Sequence, residues 1–286
     1  MSVELVPTIA ELRQRLSPLR QAGRRIGVVP TMGALHRGHA TLIERARAEC
    51  DMVVVTIFVN PLQFDRADDL ERYPRTLAAD MALCRQAGAD LAFVPAVSEM
   101  YPSEPRCTID VSLLGDHLCG KFRPGHFSGM ATVVMKLLQI VQADVAYFGE
   151  KDAQQLAIVR RLVADFNVPV VIVGVPTARD EDGLAISSRN QHLDRREREL
   201  APTLYRALST ARGAVERGVA DAAAVRAEAA TRITADERLR LEYLELVDPD
   251  TMQPVPHIAA PVIAAGALWV GNTRLIDNVR CTPPTS

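Results

Sequence analysis

Two of the six histidines stand three residues apart in Pro30-Thr31-Met32-Gly33-Ala34-Leu35-His36-Arg37-Gly38-His39. The segment follows a short apolar run and leads into a helical pattern, so helix-terminal N–H groups and a positive dipole end face outward there. Gly33 and Gly38 let the backbone turn and approach a phosphate closely. Imidazoles so placed can donate hydrogen bonds to phosphate oxygens as charge builds in a transition state. A lone histidine is more often a satisfied structural residue, but two flanking a glycine at such a junction favour function. A metal site is the competing chemistry, and no third ligand lies at recognisable spacing.

Three further polar clusters share this placement. Asn60 and Gln63, in Phe58-Val59-Asn60-Pro61-Leu62-Gln63-Phe64, close the next apolar run. Their neutral amides supply donors and acceptors suited to a substrate with hydroxyl and carboxylate groups. Phe148-Gly149-Glu150-Lys151-Asp152-Ala153-Gln154-Gln155 again reads as strand, glycine and helix start, with Lys151 and Gln155 one turn apart on one face. A lysine in a first helical turn opposes the dipole, which a bound anion would explain. Ile186-Ser187-Ser188-Arg189-Asn190 offers two hydroxyls and a guanidinium for phosphate oxygens, though its composition is also that of an ordinary loop. Arg123-Pro124-Gly125-His126-Phe127 is a further candidate loop, equally readable as a Pro-Gly turn. With no serine or cysteine elbow among them, these clusters indicate nucleotide chemistry rather than a covalent acyl-enzyme.

The elements that must position these groups alternate. Thr8-Ile9-Ala10-Glu11 has the form of a capping box, and Ile9, Leu12, Leu16 and Leu19 follow at helical spacing up to Gly23. Strands are expected at Arg25–Pro30, Met52–Val59, Leu91–Val94, Val145–Phe148 and Val168–Val173. Helices are expected at Gly38–Glu49, Thr76–Ala87, Gly129–Gln142 and Lys151–Asp165. Uniformly apolar strands between helices predict an α/β, Rossmann-like, doubly wound parallel sheet, with ligand beyond the strands' carboxyl ends where their order reverses. After Thr177 the pattern becomes helices and then strands: a long helix from Asp194 carrying Leu200, Leu204, Leu208, Ala211 and Val215, an Ala-rich helix over Asp221–Thr234, and strands at Leu241–Val247, Val262–Val270 and Arg274–Cys281. This predicts a catalytic domain over 1–177 and a smaller C-terminal α+β domain over 178–286, with a loose tail after Cys281.

The 286 residues suffice for two modest domains, and a formal charge of −2 argues against a general nucleic-acid partner. Only three lysines occur (Lys121, Lys136 and Lys151), which makes a cheap surface role for Lys151 less natural. The five scattered cysteines form no ligand cluster and suit a reduced compartment. Neither a signal peptide nor a membrane span is expected, because Glu4 and Glu11 interrupt the first segment and Pro261 and Gly266 break the most apolar one. A cytoplasmic protein is expected.

Together, PTMGALHxGH, FVNPLQF, Tyr73-Pro74-Arg75-Thr76, FRPGHFSG, YFGEKDxQQ and SSRN resemble the pantothenate synthetase family in order and spacing across almost the whole chain. HxGH alone would indicate only the wider nucleotidyl-transfer superfamily. The resemblance implies that ATP and pantoate form a pantoyl adenylate with release of pyrophosphate, after which β-alanine displaces AMP to give pantothenate. It implies ATP binding by Met32, Gly33, Ala34, Leu35, His36, Arg37, Gly38 and His39, with His39 the proton donor and His36 a second phosphate ligand. Gly149, Glu150, Lys151 and Asp152 would bind nucleotide, Lys151 neutralising pyrophosphate, and Ala178, Ile186, Ser187, Ser188 and Arg189 would join them from the smaller domain, a lid in the family. His36, His39, Lys151 and Arg189 are the implied catalytic set. Gln63 and Gln155, with Asn60, would hold pantoate and β-alanine. Mg²⁺ would come with ATP rather than on a protein site, and a homodimer is implied. Two rival readings are a nucleotidylyltransferase that stops at an adenylylated product and a nucleotide-binding regulator without turnover.

Overall fold

A computed structural model describes residues 3–233 and 235–284. In chain order the elements are β1 Glu4–Val6, α1 Ile9–Gln21, β2 Ile26–Thr31, α2 Arg37–Glu49, β3 Met52–Ile57, α3 Ala67–Arg72, α4 Leu77–Ala87, β4 Leu91–Phe93, α5 Val97–Met100, α6 Leu118–Phe122, α7 His126–Val141, β5 Val145–Gly149, α8 Ala153–Asp165, β6 Val171–Val175, α9 Arg195–Leu200, α10 Thr203–Glu216, α11 Ala222–Ala230, β7 Leu239–Val247, β8 Val262–Val270 and β9 Thr273–Cys281.

Proximity of Cα atoms divides the chain into two compact units. One comprises Met1–Val111, Arg123–Glu150 and Ile158–Pro176; the other comprises Ser112–Phe122, Lys151–Ala157 and Thr177–Ser286. The pattern change in the sequence implies a single cut at 177, yet segments 112–122 and 151–157 group with the C-terminal residues. The side chain of buried Gln154 ties those two segments together: it accepts from the Cys119 N–H at 3.0 Å and donates to the Leu114 and His117 carbonyls at 2.8 Å each.

In the first unit six parallel strands run in the order β1-β4-β3-β2-β5-β6. Val28, Val29, Val53, Val54, Val55, Val145 and Ala146 are fully buried, as expected of strands covered on both faces. Strand order reverses at β2, whose neighbours are β3 and β5. The loops leaving β2 and β5 therefore open side by side at the switch point. Thr8 caps α1 through the Glu11 N–H at 3.2 Å, the threonine half of the expected capping box. β1 is not foreseen from the sequence because three residues are too few for an alternation to register; it pairs with β4 at the edge.

The second unit carries an antiparallel sheet, β7-β8-β9, covered by α10 and α11. Leu204, Ala207, Leu208, Ala211, Ala214 and Val215 form the buried stripe of α10. The long helix expected from Asp194 is two, α9 and α10, because Pro202 lacks the N–H that would continue the ladder. The Ala-rich helix is shorter than expected, ending at Ala230; Thr234 lies outside the described residues, as do Thr285 and Ser286 of the tail. Cys281 itself is buried at the end of β9. Among the described residues no helix is long and apolar enough to cross a membrane.

Candidate active site

In the first unit the chain leaves β2 at Thr31 and turns through two left-handed residues, Gly33 (φ 81°) and Ala34 (φ 50°), before α2 begins at Arg37. The turn is closed by its own protein. Gly33 N–H donates to Thr31 Oγ1 at 3.2 Å, and the N–H groups of Ala34 and Leu35 donate to the two carboxylate oxygens of Asp80 at 3.2 and 2.8 Å. The His36 N–H donates to His39 Nδ1 at 3.3 Å, and His39 N–H returns to the His36 carbonyl at 2.8 Å. The N–H groups of residues 33–36 are thus engaged within the protein. The His36 and His39 rings lie 4.1 Å apart beside them. The His36 N–H at Nδ1 of His39 favours the tautomer with the proton on Nε2, the donor form a phosphate oxygen requires.

The turn after β3 lies against this loop. Gln63 Nε2 donates to Met32 Sδ at 2.9 Å, which brings the first two sequence clusters together. Asn60 is fully buried, and all four of its hydrogen-bonding sites are used: Nδ2 donates to Gln63 Oε1 and to the Gly129 carbonyl at 3.1 Å each, and Oδ1 accepts from Tyr101 at 2.8 Å and Leu62 at 3.4 Å. Asn60 therefore holds Gln63 in place. His126 adds a second brace, its Nδ1 lying 2.8 Å from the Gln63 carbonyl, and Arg123 is anchored beside it on Asp65 at 3.1 Å. α7 comes this close only because Gly129 has no side chain: a Cβ there would stand 2.0 Å from the Leu62 carbonyl oxygen. Gly149 and Glu150 leave β5, the strand beside β2, and Lys151 follows in chain.

The remaining candidates belong to the second unit. Residues 178–186 form a narrow hairpin, with Ile186 N–H donating to the Ala178 carbonyl at 3.0 Å. Ser187 Oγ accepts from Arg189 N–H at 3.3 Å and starts the short turn Ser188–His192. One strand carries both this hairpin and Lys151. Arg179 makes a bidentate pair with buried Asp277 of β9 at 2.6 and 2.9 Å, and the next residue, Asn278, donates to the Lys151 carbonyl at 2.9 Å. Lys151 Nζ is 3.7 Å from Asp152. Gln154 and Gln155 separate in role: Gln154 is the buried tie described above, whereas the Gln155 side chain is partly exposed and makes no hydrogen bond among the described residues.

Asp80, Arg179, Asp277 and Asn278 are site residues that sequence reasoning does not single out. Among the described residues no group of three or more His, Cys, Asp or Glu side chains converges as metal ligands would.

Comparison with known proteins identifies the family. The family model described as pantoate-beta-alanine ligase matches residues 4–280. The chain belongs to the pantoate–β-alanine ligase family. A bifunctional pantoate ligase/cytidylate kinase of Thermosynechococcus vestitus is 56% identical over 88% of this chain, which spans 50% of that longer relative. A pantothenate synthetase of Moorella thermoacetica is 48% identical over 97% of this chain and 98% of its own. The crystal structure of a pantoate–β-alanine ligase from Thermus thermophilus superposes with a TM-score of 0.93 at 46% identity, covering 98% of this chain and all of that one. A pantoate–β-alanine ligase of Francisella tularensis, solved in complex with a β,γ-ATP and β-alanine, superposes with a TM-score of 0.81 at 34% identity over 97% of both chains. Pantoate–β-alanine ligases thus share both the doubly wound parallel sheet and the small antiparallel one.

Proposed function

We propose that this protein joins pantoate to β-alanine at the expense of ATP, giving pantothenate, AMP and pyrophosphate. The observation that carries the reading is the paired-histidine loop at the carboxyl end of β2, lying against the Gln63 turn, in a chain of the ligase family. A pantoate carboxylate oxygen attacks the α-phosphorus of ATP, and the bond to pyrophosphate breaks. The amine of β-alanine then attacks the acyl carbon, AMP departs with the former carboxylate oxygen, and the amine gives up a proton. A carboxylate is a poor electrophile, and the mixed anhydride supplies the leaving group it lacks. Keeping the anhydride bound makes the second step effectively unimolecular.

His39 acts as donor to phosphate through Nε2, and His36 is the second phosphate ligand. Lys151 and Arg189 neutralise the departing pyrophosphate, while Gly149, Glu150, Asp152, Ala178, Ile186, Ser187 and Ser188 complete nucleotide binding. Gln63 retains one amide hydrogen and one lone pair beyond those used by Met32 and Asn60, enough to read a hydroxyl or carboxylate; Gln155 shares that task. Mg²⁺ would come with ATP rather than on a protein site and would offset phosphate charge. The C-terminal residues 178–286 act as the lid over substrate. The enzyme works in the cytoplasm as a homodimer; Phe166, directly after α8, and Val171, the first residue of the edge strand β6, are 59% and 58% exposed apolar residues suited to such an interface.

The test is product analysis with all three substrates. Equimolar pantothenate and AMP, each dependent on pantoate and β-alanine together, are expected. ADP in place of AMP would refute the adenylate route, and sustained pyrophosphate release without β-alanine and without AMP would favour the nucleotidylyltransferase reading.

A further inference from the structure

The carboxylate of Asp80 is 2% exposed, yet it belongs to α4, more than forty residues beyond the loop it touches. Its partners are specific. Oδ1 accepts from the Leu35 N–H at 2.8 Å and from the Thr76 hydroxyl at 3.1 Å, and Oδ2 accepts from the Ala34 N–H at 3.2 Å. Successive N–H groups converging from a left-handed turn form the concavity in which proteins commonly bind anions. Here the anion is the protein's own. A Cβ on Gly33 would stand 3.0 Å from Asp80 Oδ2 and 3.1 Å from Ile57, so the turn is wrapped closely round the carboxylate. Ala34 adopts a left-handed conformation that costs an alanine roughly 1–2 kcal/mol, and the charge-assisted bond to its N–H offsets that cost.

We propose that Asp80 is a positioning residue for the adenylation step. It occupies the loop's anion concavity, so that ATP phosphates are met by the His36 and His39 rings and not by backbone amides, and it sets where those rings stand. The inference rests on the proposed adenylate mechanism. It also separates the two half-reactions, because formation of the adenylate moves phosphate charge past the histidines whereas aminolysis of a preformed adenylate does not require that pyrophosphate be expelled.

The experiment uses Asp80→Asn in the full-length enzyme, which keeps the shape but turns one oxygen into an NH₂ facing a backbone N–H. Two rates are measured: pantoate-dependent exchange of pyrophosphate into ATP, and release of AMP from supplied pantoyl adenylate by β-alanine. We expect kcat for exchange to fall on the order of 100-fold, as for a displacement of about 1 Å at a reacting centre, with aminolysis reduced at least ~10-fold less. Thr76→Val, which removes only the supporting hydroxyl, should give a smaller loss with the same bias, and it decides the matter if Asp80→Asn does not fold. Equal losses in both half-reactions, tracking a fall in Tm, would show a purely structural carboxylate and overturn the proposal. Retention of full exchange by either folded variant would do the same. If the native enzyme shows no pantoate-dependent exchange, the mechanism itself fails, and this inference with it.

Discussion

Asn60 shows how much of a site's chemistry lies one residue behind the groups that meet substrate. Both of its amide hydrogens and both of its lone pairs are used inside the protein, so its contribution is the orientation of Gln63. Replacing it by aspartate turns two donors into acceptors facing the Gln63 and Gly129 oxygens. With roughly 1–3 kcal/mol lost for each unsatisfied buried group, Asn60→Asp should lower the urea midpoint substantially at unchanged m, and a change under ~0.5 kcal/mol would contradict the account. The histidine pair, Asn60, Gln63 and Lys151 stand out in the sequence because each follows an apolar run. Asp80 and Asp277 also left a signal. Asp80 sits four residues before Cys84 on the buried face of α4, and Asp277 shares the inward parity of Leu275, Val279 and Cys281 in β9. An acid on an apolar stripe announces a buried partner, but its partner cannot be named until the fold brings the two together. The sequence offered no such clue that Gln154, not Gln155, would be consumed in tying two segments.

Among the elements, the long periodic helices and the uniformly apolar strands of the sheet were readable from pattern alone. Short pieces such as β1 and α3 were not, since one or two turns of periodicity do not rise above chance. The helix expected from Gly129 begins three residues earlier, at His126, because the Pro-Gly turn before it masks the first helical turn of α7. That same glycine fixes how α7 meets the site. A methyl group at 129 would lie 2.0 Å from the Leu62 oxygen, 2.4 Å from its carbon and 2.7 Å from the Gln63 nitrogen, all of them backbone atoms that cannot turn aside. Gly129→Ala is expected to cost about 1–3 kcal/mol as the helix and the turn separate. Because Gln63 moves with the turn, KM for pantoate should rise more than KM for ATP. A variant with native stability and an unchanged pantoate KM would show that the contact does not position Gln63.

At the scale of the whole molecule, composition set the class correctly, but the interleaving of the two units was not legible. Nothing local marks 112–122 or 151–157 as belonging with the C-terminal residues, for the ties are side-chain bonds such as those of Gln154 and Asn278. Both units also bury groups that hold their protons at high pH. Burial, with a smaller part from the Asp80 charge, pushes the Cys84 thiol from 9.0 up to about 12; burial likewise raises Cys281 from 9.0 to about 11 and Tyr101 from 10.0 to about 12. The folded protein binds these protons more tightly than the unfolded chain does. The stability so conferred is complete below pH 9.0 and is lost as pH rises from there toward about 12. Thermal unfolding across that range should show a steady fall in Tm. Cys84→Ala, though less stable at neutral pH, should show a shallower fall, and parallel curves for the two proteins would contradict the assignment.

The adenylate mechanism is tested most directly by exchange of labelled pyrophosphate into ATP with pantoate present and β-alanine absent, in the native enzyme and in His39→Ala. Exchange is expected to require pantoate, to be followed by AMP release when β-alanine is added, and to be mostly lost in a His39→Ala protein that remains folded. Exchange indifferent to pantoate, or undiminished without the His39 imidazole, would contradict that mechanism.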